Sequence, residues 1–194
     1  LRTVHKIGST TTTTDYCGNV IYENGVQKLL LTEEGYITLS DSKYHYYLKD
    51  HQGNNRVVIS QSGTVEETNH YYPFGGAFAS TSNVQPYKYN GKELDSKKGL
   101  NWYDYGARHY DAALGRFTTN DRFAEKYYSM SPYQYGANSP VVNIDVNGDS
   151  IRICTETQSF GHTWISVGEG SNMTVYSYGR YNGTNKGQIE ALIL

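Results

Sequence analysis

The sequence predicts a mainly β fold, built from short antiparallel strands joined by tight turns. Tyrosine and glycine each supply 20 of the 194 residues. Tyrosine suits a sheet with one wet face, because its ring is apolar and its hydroxyl is polar. Aromatic and β-branched residues alternate with polar ones, and most such runs end at a turn that contains glycine, which is the pattern of strands and hairpins.

Two hairpins can be predicted in the first half of the chain. The first spans residues 29–39, where two apolar runs flank a Glu-Glu-Gly turn. In the second, a strand ends at Asp50, turns through Gly53 and returns along the β-branched run 56–60. Asp50 and Asn54 can bond their local backbone and Gly53 accepts a positive φ, so this segment favours a tight turn.

Helix is predicted only between residues 121 and 136. Asn120 or Asp121 can cap a helix over residues 122–128, because a side-chain oxygen accepts a free backbone N–H there. A second short turn begins at residues 131–132, with proline at the first helical position, and ends at residue 136. We expect these two pieces to form a short helical plug.

One pair of segments carries a family resemblance. Residues 103–117 read YDYGARHYDAALGRF, and residues 138–149 read NSPVVNIDVNGD. Together they closely resemble the core-associated region of RHS/YD-repeat proteins. The hairpin at residues 46–56 resembles a YD repeat, and residues 124–141 resemble the Bacteroidetes-type version of this region.

The resemblance implies the terminal segment of an RHS/YD-repeat β-spiral, or cocoon, with the helical plug folding inward and a small β segment after it. It also implies a structural encapsulation module of a secreted or cell-surface bacterial polymorphic toxin, used in bacterial competition. Such a module houses and delivers a C-terminal effector. The implied partners are the rest of the RHS shell, its toxin domain, a secretion-system component and an immunity protein.

The character of the sequence changes after Gly148. Period-two runs at 150–155, 163–167 and 174–178 define a further segment, which is too small to be a stable domain alone. We expect an RHS core-associated region over residues 1–149 and the start of a C-terminal variable region after it, over residues 150–194. The chain has no initiating methionine or signal peptide, so we expect it to be a piece of a longer protein.

Asp121 and Asp145 are the first candidate catalytic residues. In some RHS relatives, aspartates that match these motifs drive autoproteolysis just after the second motif, which corresponds here to Gly148-Asp149. One of two close carboxylates can activate water while the other protonates the amide oxygen. The cleaving motif has proline where Val146 stands and a hydrophobic residue where Asp149 stands. The alternative is that Asp121 caps a helix and Asp145 stabilises a turn.

Arg108 and Arg116 lie close in sequence to Asp104, Asp111 and Asp121. One hypothesis is a buried arginine–carboxylate lattice that pins successive strands. It predicts that both arginines are buried and paired. The other hypothesis gives Arg116 a catalytic role, in which it orients the two carboxylates.

His162 is a candidate effector residue. The segment GHTWISVGEG, residues 161–170, resembles the histidine-bearing strand of permuted papain-like hydrolases of the NlpC type. The nucleophilic cysteine of that order follows the histidine, so it would have to lie past residue 194, because no cysteine follows Cys154. The alternative is a histidine without a catalytic role. Cys17 and Cys154 could pair or remain two free thiols.

Composition and spacing exclude several classes of function. The net charge is −2 and no basic stripe accompanies the aromatic residues, which disfavours nucleic-acid binding. No apolar run could span a bilayer. No spacing indicates a metal ligand set, and we expect no cofactor. Three functions remain open. They are encapsulation, an enzyme (self-cleaving or NlpC-like), and a surface adhesion or carbohydrate-binding module whose tyrosines stack on sugars.

Overall fold

The computed structural model describes residues 1–126 and 128–149, and beyond them the backbone of four strands between residues 152 and 193. The fold is mainly β, as predicted. In this described part, helix is limited to four 3-10 turns of three residues each, at 89–91, 97–99, 124–126 and 136–138. No helix there has the length and apolar character needed to cross a membrane.

The first sheet has nine strands, and each pairs with the next one in sequence. The strands are β1 Arg2–Ile7, β2 Thr10–Cys17, β3 Val20–Glu23, β4 Val26–Leu31, β5 Gly35–Thr38, β6 Lys43–Lys49, β7 Asn55–Ser60, β8 Val65–Tyr71 and β9 Ala77–Ser80. Strands β1 to β8 pair antiparallel. Both predicted hairpins are confirmed, as the pairs β4–β5 and β6–β7.

The turn between β6 and β7 has the predicted chemistry. Asp50 Oδ1 accepts the backbone N–H groups of Gln52 at 3.0 Å and Asn54 at 3.1 Å. Gly53 has φ +75°, and Arg56 Nε donates to Asp50 Oδ2 at 2.7 Å. Burial raises the pKa of Asp50, but the hydrogen bonds from Asn54 and Arg56 outweigh it, so this pKa lies below its ordinary value.

A close backbone approach requires glycine at the start of β5. Gly35 lies opposite Tyr46 of β6. A Cβ atom on Gly35 would lie 1.9 Å from the carbonyl oxygen of His45. A side chain of any size at this position would therefore force the two strands apart.

The chain divides into two compact units. The first comprises Leu1–His70, Ala77–Gly91 and Asp95–Leu100, and the second comprises Tyr71–Gly76, Lys92–Leu94 and Asn101–Leu194. In the first unit, the buried apolar residues are Ile21, Tyr36, Val58 and Tyr89.

A buried polar cluster around Glu67 accompanies the apolar core of the first unit. The side chains of Lys88 and Asn69 donate to the Glu67 carboxylate. Gln85 Nε2 donates at 3.2 Å and the backbone N–H of Val84 at 2.9 Å. Glu67 is fully buried, so these donors replace its hydration. The cluster anchors the loop of residues 84–88 on β8.

Two smaller sheets follow the first one in sequence, in the part of the chain that the structure describes. The four-stranded sheet has the order β10-β11-β12-β13, and the five-stranded sheet has the order β14-β15-β16-β17-β18. Their strands are β10 Glu93–Asp95, β11 Trp102–Asp104, β12 His109–Asp111, β13 Arg116–Phe117, β14 Asn143–Asp145, β15 Arg152–Thr155, β16 Thr163–Val167, β17 Thr174–Tyr178 and β18 Glu190–Ile193.

Aromatic side chains dominate the core in the described part of the second unit. Five of them are at most 2% exposed: Tyr103, Tyr105, Tyr110, Phe117 and Tyr135. Tyr105 contacts Tyr110, Phe117 and Tyr135 edge-on, with ring centroids 5.6 to 5.8 Å apart. Edge-to-face contacts of this kind add to the stabilisation from burial alone.

The helix predicted between residues 121 and 136 is much shorter in the structure. In the described part of that range, Ala124–Lys126 forms a single 3-10 turn. The carbonyl oxygen of Pro132 accepts the N–H of Asp121 at 2.9 Å and Arg108 Nη1 at 3.1 Å. The Pro132 carbonyl oxygen is therefore bonded by residues from other segments rather than within a helix.

Candidate functional site

The candidate site is built around the turn that follows β14. Asp145 Oδ1 accepts the backbone N–H groups of Gly148 at 2.6 Å and Asp149 at 3.2 Å. Gly148 has φ +73°, and a Cβ atom there would lie 3.1 Å from the backbone nitrogen of Arg108 and 3.2 Å from Tyr105 Cβ. The turn therefore requires glycine, both for its conformation and for its close packing.

Arg108 lies at the centre of the site and is 5% exposed. Its Nε donates to the carbonyl oxygen of Gly148 at 2.6 Å. Its Nη2 donates to Asp121 Oδ2 at 3.0 Å and lies 3.6 Å from Asp145 Oδ2. The guanidinium carbon lies 3.8 Å from the ring centroid of Phe117, which is within the range of a cation–π interaction.

Asp121 belongs to a loop that the same arginine fixes. Its Oδ1 accepts the N–H of Phe123 at 2.8 Å, and its carbonyl oxygen accepts the N–H of Ala124 at 3.1 Å. Asp121 thus caps the 3-10 turn at Ala124–Lys126 with one carboxylate oxygen and binds Arg108 with the other. This arrangement agrees with the capping interpretation of Asp121 and does not test catalysis.

Burial dominates the electrostatics of the site. It raises the pKa of Asp145, against the hydrogen bond from Gly148 and the charge of Arg108. It lowers the pKa of Arg108, while Asp121 and Asp145 oppose that change. Burial also lowers the pKa of Lys92, whose Nζ donates to the carbonyl oxygen of Val146.

The arrangement has two chemical capacities. The first is a clasp, because one guanidinium binds two carboxylates and the carbonyl of the turn at once. The second is activation of the peptide bond between Gly148 and Asp149. A guanidinium N–H of Arg108 on the Gly148 carbonyl oxygen polarises that carbonyl. The carboxyl group of Asp145, whose pKa is raised by burial, lies beside the Asp149 nitrogen.

The structure brings Asp121 and Asp145 to the same arginine, but that arginine is Arg108 rather than Arg116. Arg116 is exposed, contrary to the lattice hypothesis. Its strand neighbour Phe117 is 2% exposed, and successive residues of a strand face opposite sides. The burial of Phe117 therefore directs Arg116 to solvent. A catalytic role for any of these residues remains a prediction.

The other carboxylates of the proposed lattice stabilise turns. Asp104 Oδ1 accepts the N–H of Gly106 at 2.7 Å. Asp111 Oδ1 accepts the N–H groups of Ala113 at 2.9 Å and Leu114 at 3.2 Å. Asp111 Oδ2 also accepts Trp102 Nε1 at 3.2 Å on the neighbouring strand. Neither aspartate binds Arg108, so among the predicted residues the arginine network joins Arg108 to Asp121 and Asp145.

The remaining candidates from the sequence are His162 and Cys17. His162 lies outside the described residues. Cys17 is an exposed free thiol.

Sequence reasoning missed Lys92, because nothing in its local sequence signals a contact with residue 146. It also missed the exposed ion pair between Arg122 and Asp149.

No protein-family model matches the chain. It is 41% identical over 112 residues to "Salivary gland surface protein 1" of Aedes aegypti, a match that covers 56% of this chain and 3% of that protein. The chain thus spans a very small part of this curated relative.

Solved structures show a likeness over more of the chain. The crystal structure of TcdB2-TccC3-Cdc42 matches with a TM-score of 0.63 at 19% identity, over 77% of this chain and 8% of that one. TcdB2-TccC3 without its hypervariable C-terminal region matches with a TM-score of 0.63 at 18% identity, over 76% and 8%. At these identities the likeness concerns the fold alone. The chain has a β-rich, RHS-like fold.

Proposed function

We propose that this chain is the closing segment of an RHS-type shell, which houses and delivers the C-terminal effector of a secreted or cell-surface bacterial toxin. The observation that carries the proposal is the order of the first sheet, in which nine strands pair strictly in sequence. A meander of this kind can be extended strand by strand, because each new strand needs only a hairpin to the last. A shell can be built this way.

The likeness to TcdB2-TccC3 supports this proposal at the level of the fold. The Arg108 clasp supports it physically, because it fixes the turn at Gly148 at the end of the candidate shell region. We propose that this region ends at residue 149 and that a variable, effector-type region begins at residue 150. The partners would then be the remaining shell strands and the effector, with a secretion component and an immunity protein acting on the whole toxin.

Protease protection of the full-length protein tests the shell. We expect the polypeptide after residue 149 to resist limited proteolysis in the intact protein and to be digested once mild denaturant opens the shell. The matched control fuses the same polypeptide to an unrelated soluble β domain. Equal rates of digestion in the two proteins would contradict encapsulation.

Self-cleavage at Gly148-Asp149 is the second candidate function. The contact that favours it is the guanidinium of Arg108 on the Gly148 carbonyl oxygen, which polarises that carbonyl for attack by water. Asp145, whose Oδ1 accepts the Asp149 N–H, is the nearby carboxyl group that such a mechanism requires as its acid or base. Val146 and Asp149 depart from the cleaving motif, and these departures act against self-cleavage. The intact mass of the chain shows whether the chain is cleaved or remains whole.

Adhesion through exposed tyrosines is the third candidate. Tyr44 and Tyr46 of β6 are 47% and 44% exposed, and they share one face of the strand because they are two residues apart. Binding to a panel of immobilised glycans that is lost in Tyr44→Ala and Tyr46→Ala would support adhesion. The exposed Tyr72→Ala variant is the control, because Tyr72 lies outside β6.

A further inference from the structure

A hydroxyl, an imidazole and a carboxylate lie in line on the first sheet, apart from the Arg108 site. Thr38 Oγ1 lies 3.0 Å from His45 Nε2. His45 Nδ1 lies 2.6 Å from Glu66 Oε2. We propose that Thr38 is an activated nucleophile at this array and accepts acyl groups from small, activated esters. The proposal is independent of the shell function.

The order of the three groups fixes the direction of proton transfer. The Glu66 carboxylate can only accept, so Nδ1 of a neutral His45 carries the ring proton. Nε2 is then left with a lone pair that faces the Thr38 hydroxyl. This is the arrangement in which an imidazole removes the proton of a nucleophilic hydroxyl while a carboxylate orients the ring.

The fold positions each member of the array. A β-bulge lies where Val58 and Ile59 of β7 pair with Glu67 and Val65 of β8, which leaves Glu66 as the extra residue. Bulges redirect a side chain, and this one accounts for the contact of Glu66 with His45.

The imidazole is held in place and partly shielded from water. The Tyr36 ring stacks on it, with centroids 4.4 Å apart and planes at 4°. The side chain of His45 is 12% exposed and that of Glu66 is 26% exposed. The array is therefore pre-organised but still reachable by a small ligand.

Lys43 supplies positive charge near the hydroxyl. It lies directly opposite Thr38 in the β5–β6 pair, so both side chains share one face, with Cβ atoms about 5 Å apart. Its ammonium group is paired with Asp41 at 2.8 Å. A flexible lysine at this distance can reach an oxyanion that forms on the acyl group of Thr38.

The proposed reaction balances without a further reactant. Thr38 Oγ1 bonds to the ester carbonyl carbon while its proton moves to His45 Nε2. The ester C–O bond then breaks and the proton leaves with the alcohol, which gives an acyl-threonine. Water, deprotonated by His45, attacks this intermediate, releases the carboxylic acid and restores the Thr38 hydroxyl.

The test uses the intact chain and p-nitrophenyl acetate. We expect a burst of p-nitrophenolate and an acetyl group on Thr38 in peptide mass spectra. Thr38→Val should abolish the burst, because no acyl-threonine can form. His45→Gln should slow it on the order of 10²-fold or more, since a general base contributes at least this much. Thr38→Ser should retain it, which also guards against loss of fold as the cause. Ser62→Ala is the control, because Ser62 bonds other hydroxyls rather than an imidazole.

Glu66 acts as a positioning residue and has its own readout. Glu66→Gln should slow the burst without changing its amplitude, because the nucleophile is still present but its base is no longer held in the right tautomer. The proposal is overturned if the parent shows no burst, if Thr38→Val reacts at the parent rate, or if acetylation occurs only on lysine side chains.

Discussion

Arg108 donates from Nε to the carbonyl oxygen of Gly148 at 2.6 Å, across 40 positions of sequence. The same guanidinium binds Asp121 Oδ2 at 3.0 Å. One buried cation therefore joins the turn after β14 to the loop that carries Asp121. Loss of one partner should therefore lower the stability strongly, since removing one member of a buried ion pair leaves the other charge without compensation.

We predict that Arg108→Ala destabilises the protein by roughly 3–5 kcal/mol, because Asp121 and Asp145 would remain buried without their cation. Arg116→Ala is the matched control, and we expect it to change stability by less than about 0.5 kcal/mol, as an exposed residue should. Urea unfolding at neutral pH measures both. Equal effects of the two variants would show that the clasp does not stabilise the fold.

The contrast between these two arginines shows what strand periodicity could have predicted. Arg108 lies two residues before the buried Tyr110, and Arg116 lies directly before the buried Phe117. Because side chains alternate between the faces of a strand, Arg116 in β13 faces away from the buried side. Arg108 precedes β12, and it is buried by its bonds to Gly148 and Asp121. The lattice hypothesis treated both alike, and this is why it was wrong about Arg116.

Local chemistry and distant contacts differ in how far they can be predicted. The Asp50 turn was predictable because the donors and the acceptor lie within seven residues, from Asp50 to Arg56. The helix predicted over residues 121–136 was overestimated, and within that range the Pro132 carbonyl oxygen is bonded by Asp121 and Arg108 instead. No local pattern shows such a contact.

Gly35→Ala should destabilise the first sheet by more than about 2 kcal/mol, since overpacking against a rigid backbone forces the chain to shift. The new Cβ would meet the carbonyl oxygen of His45 at 1.9 Å. Gly76→Ala is the control, because its nearest contact would be an ordinary 3.7 Å to the Tyr72 ring. Thermal unfolding of both variants measures the difference, and a Gly35→Ala melting temperature equal to that of Gly76→Ala would contradict the prediction.

Asp50→Asn should reduce stability at pH 7 by about 1.5–3 kcal/mol, the usual contribution of hydrogen bonds to a charged group. The folded-state pKa of Asp50 is lowered, so its ionised form stabilises the protein above the unfolded pKa of about 3.9. That contribution is lost as the pH falls through the folded pKa. Parent and variant should therefore converge in urea unfolding as the pH falls from 5 to about 2.5. A constant difference over this range would contradict the sign of the shift.

We predict that the chain remains uncleaved at neutral and mildly acidic pH. Asp145 Oδ1 accepts the N–H groups of Gly148 and Asp149, which holds that carboxylate as an acceptor rather than a proton donor to the peptide nitrogen. Val146 provides no fixed φ at the turn, and the Asp149 side chain is held by Arg122. Intact mass spectrometry after incubation at pH 5 and pH 7.5 should give a single species. A fragment that starts near Asp149 and disappears in Asp121→Asn would instead show that the two carboxylates are catalytic. Asp111→Asn, in a carboxylate that accepts from the Ala113 N–H and the Trp102 indole and has no contact with Arg108, should leave any such cleavage unchanged.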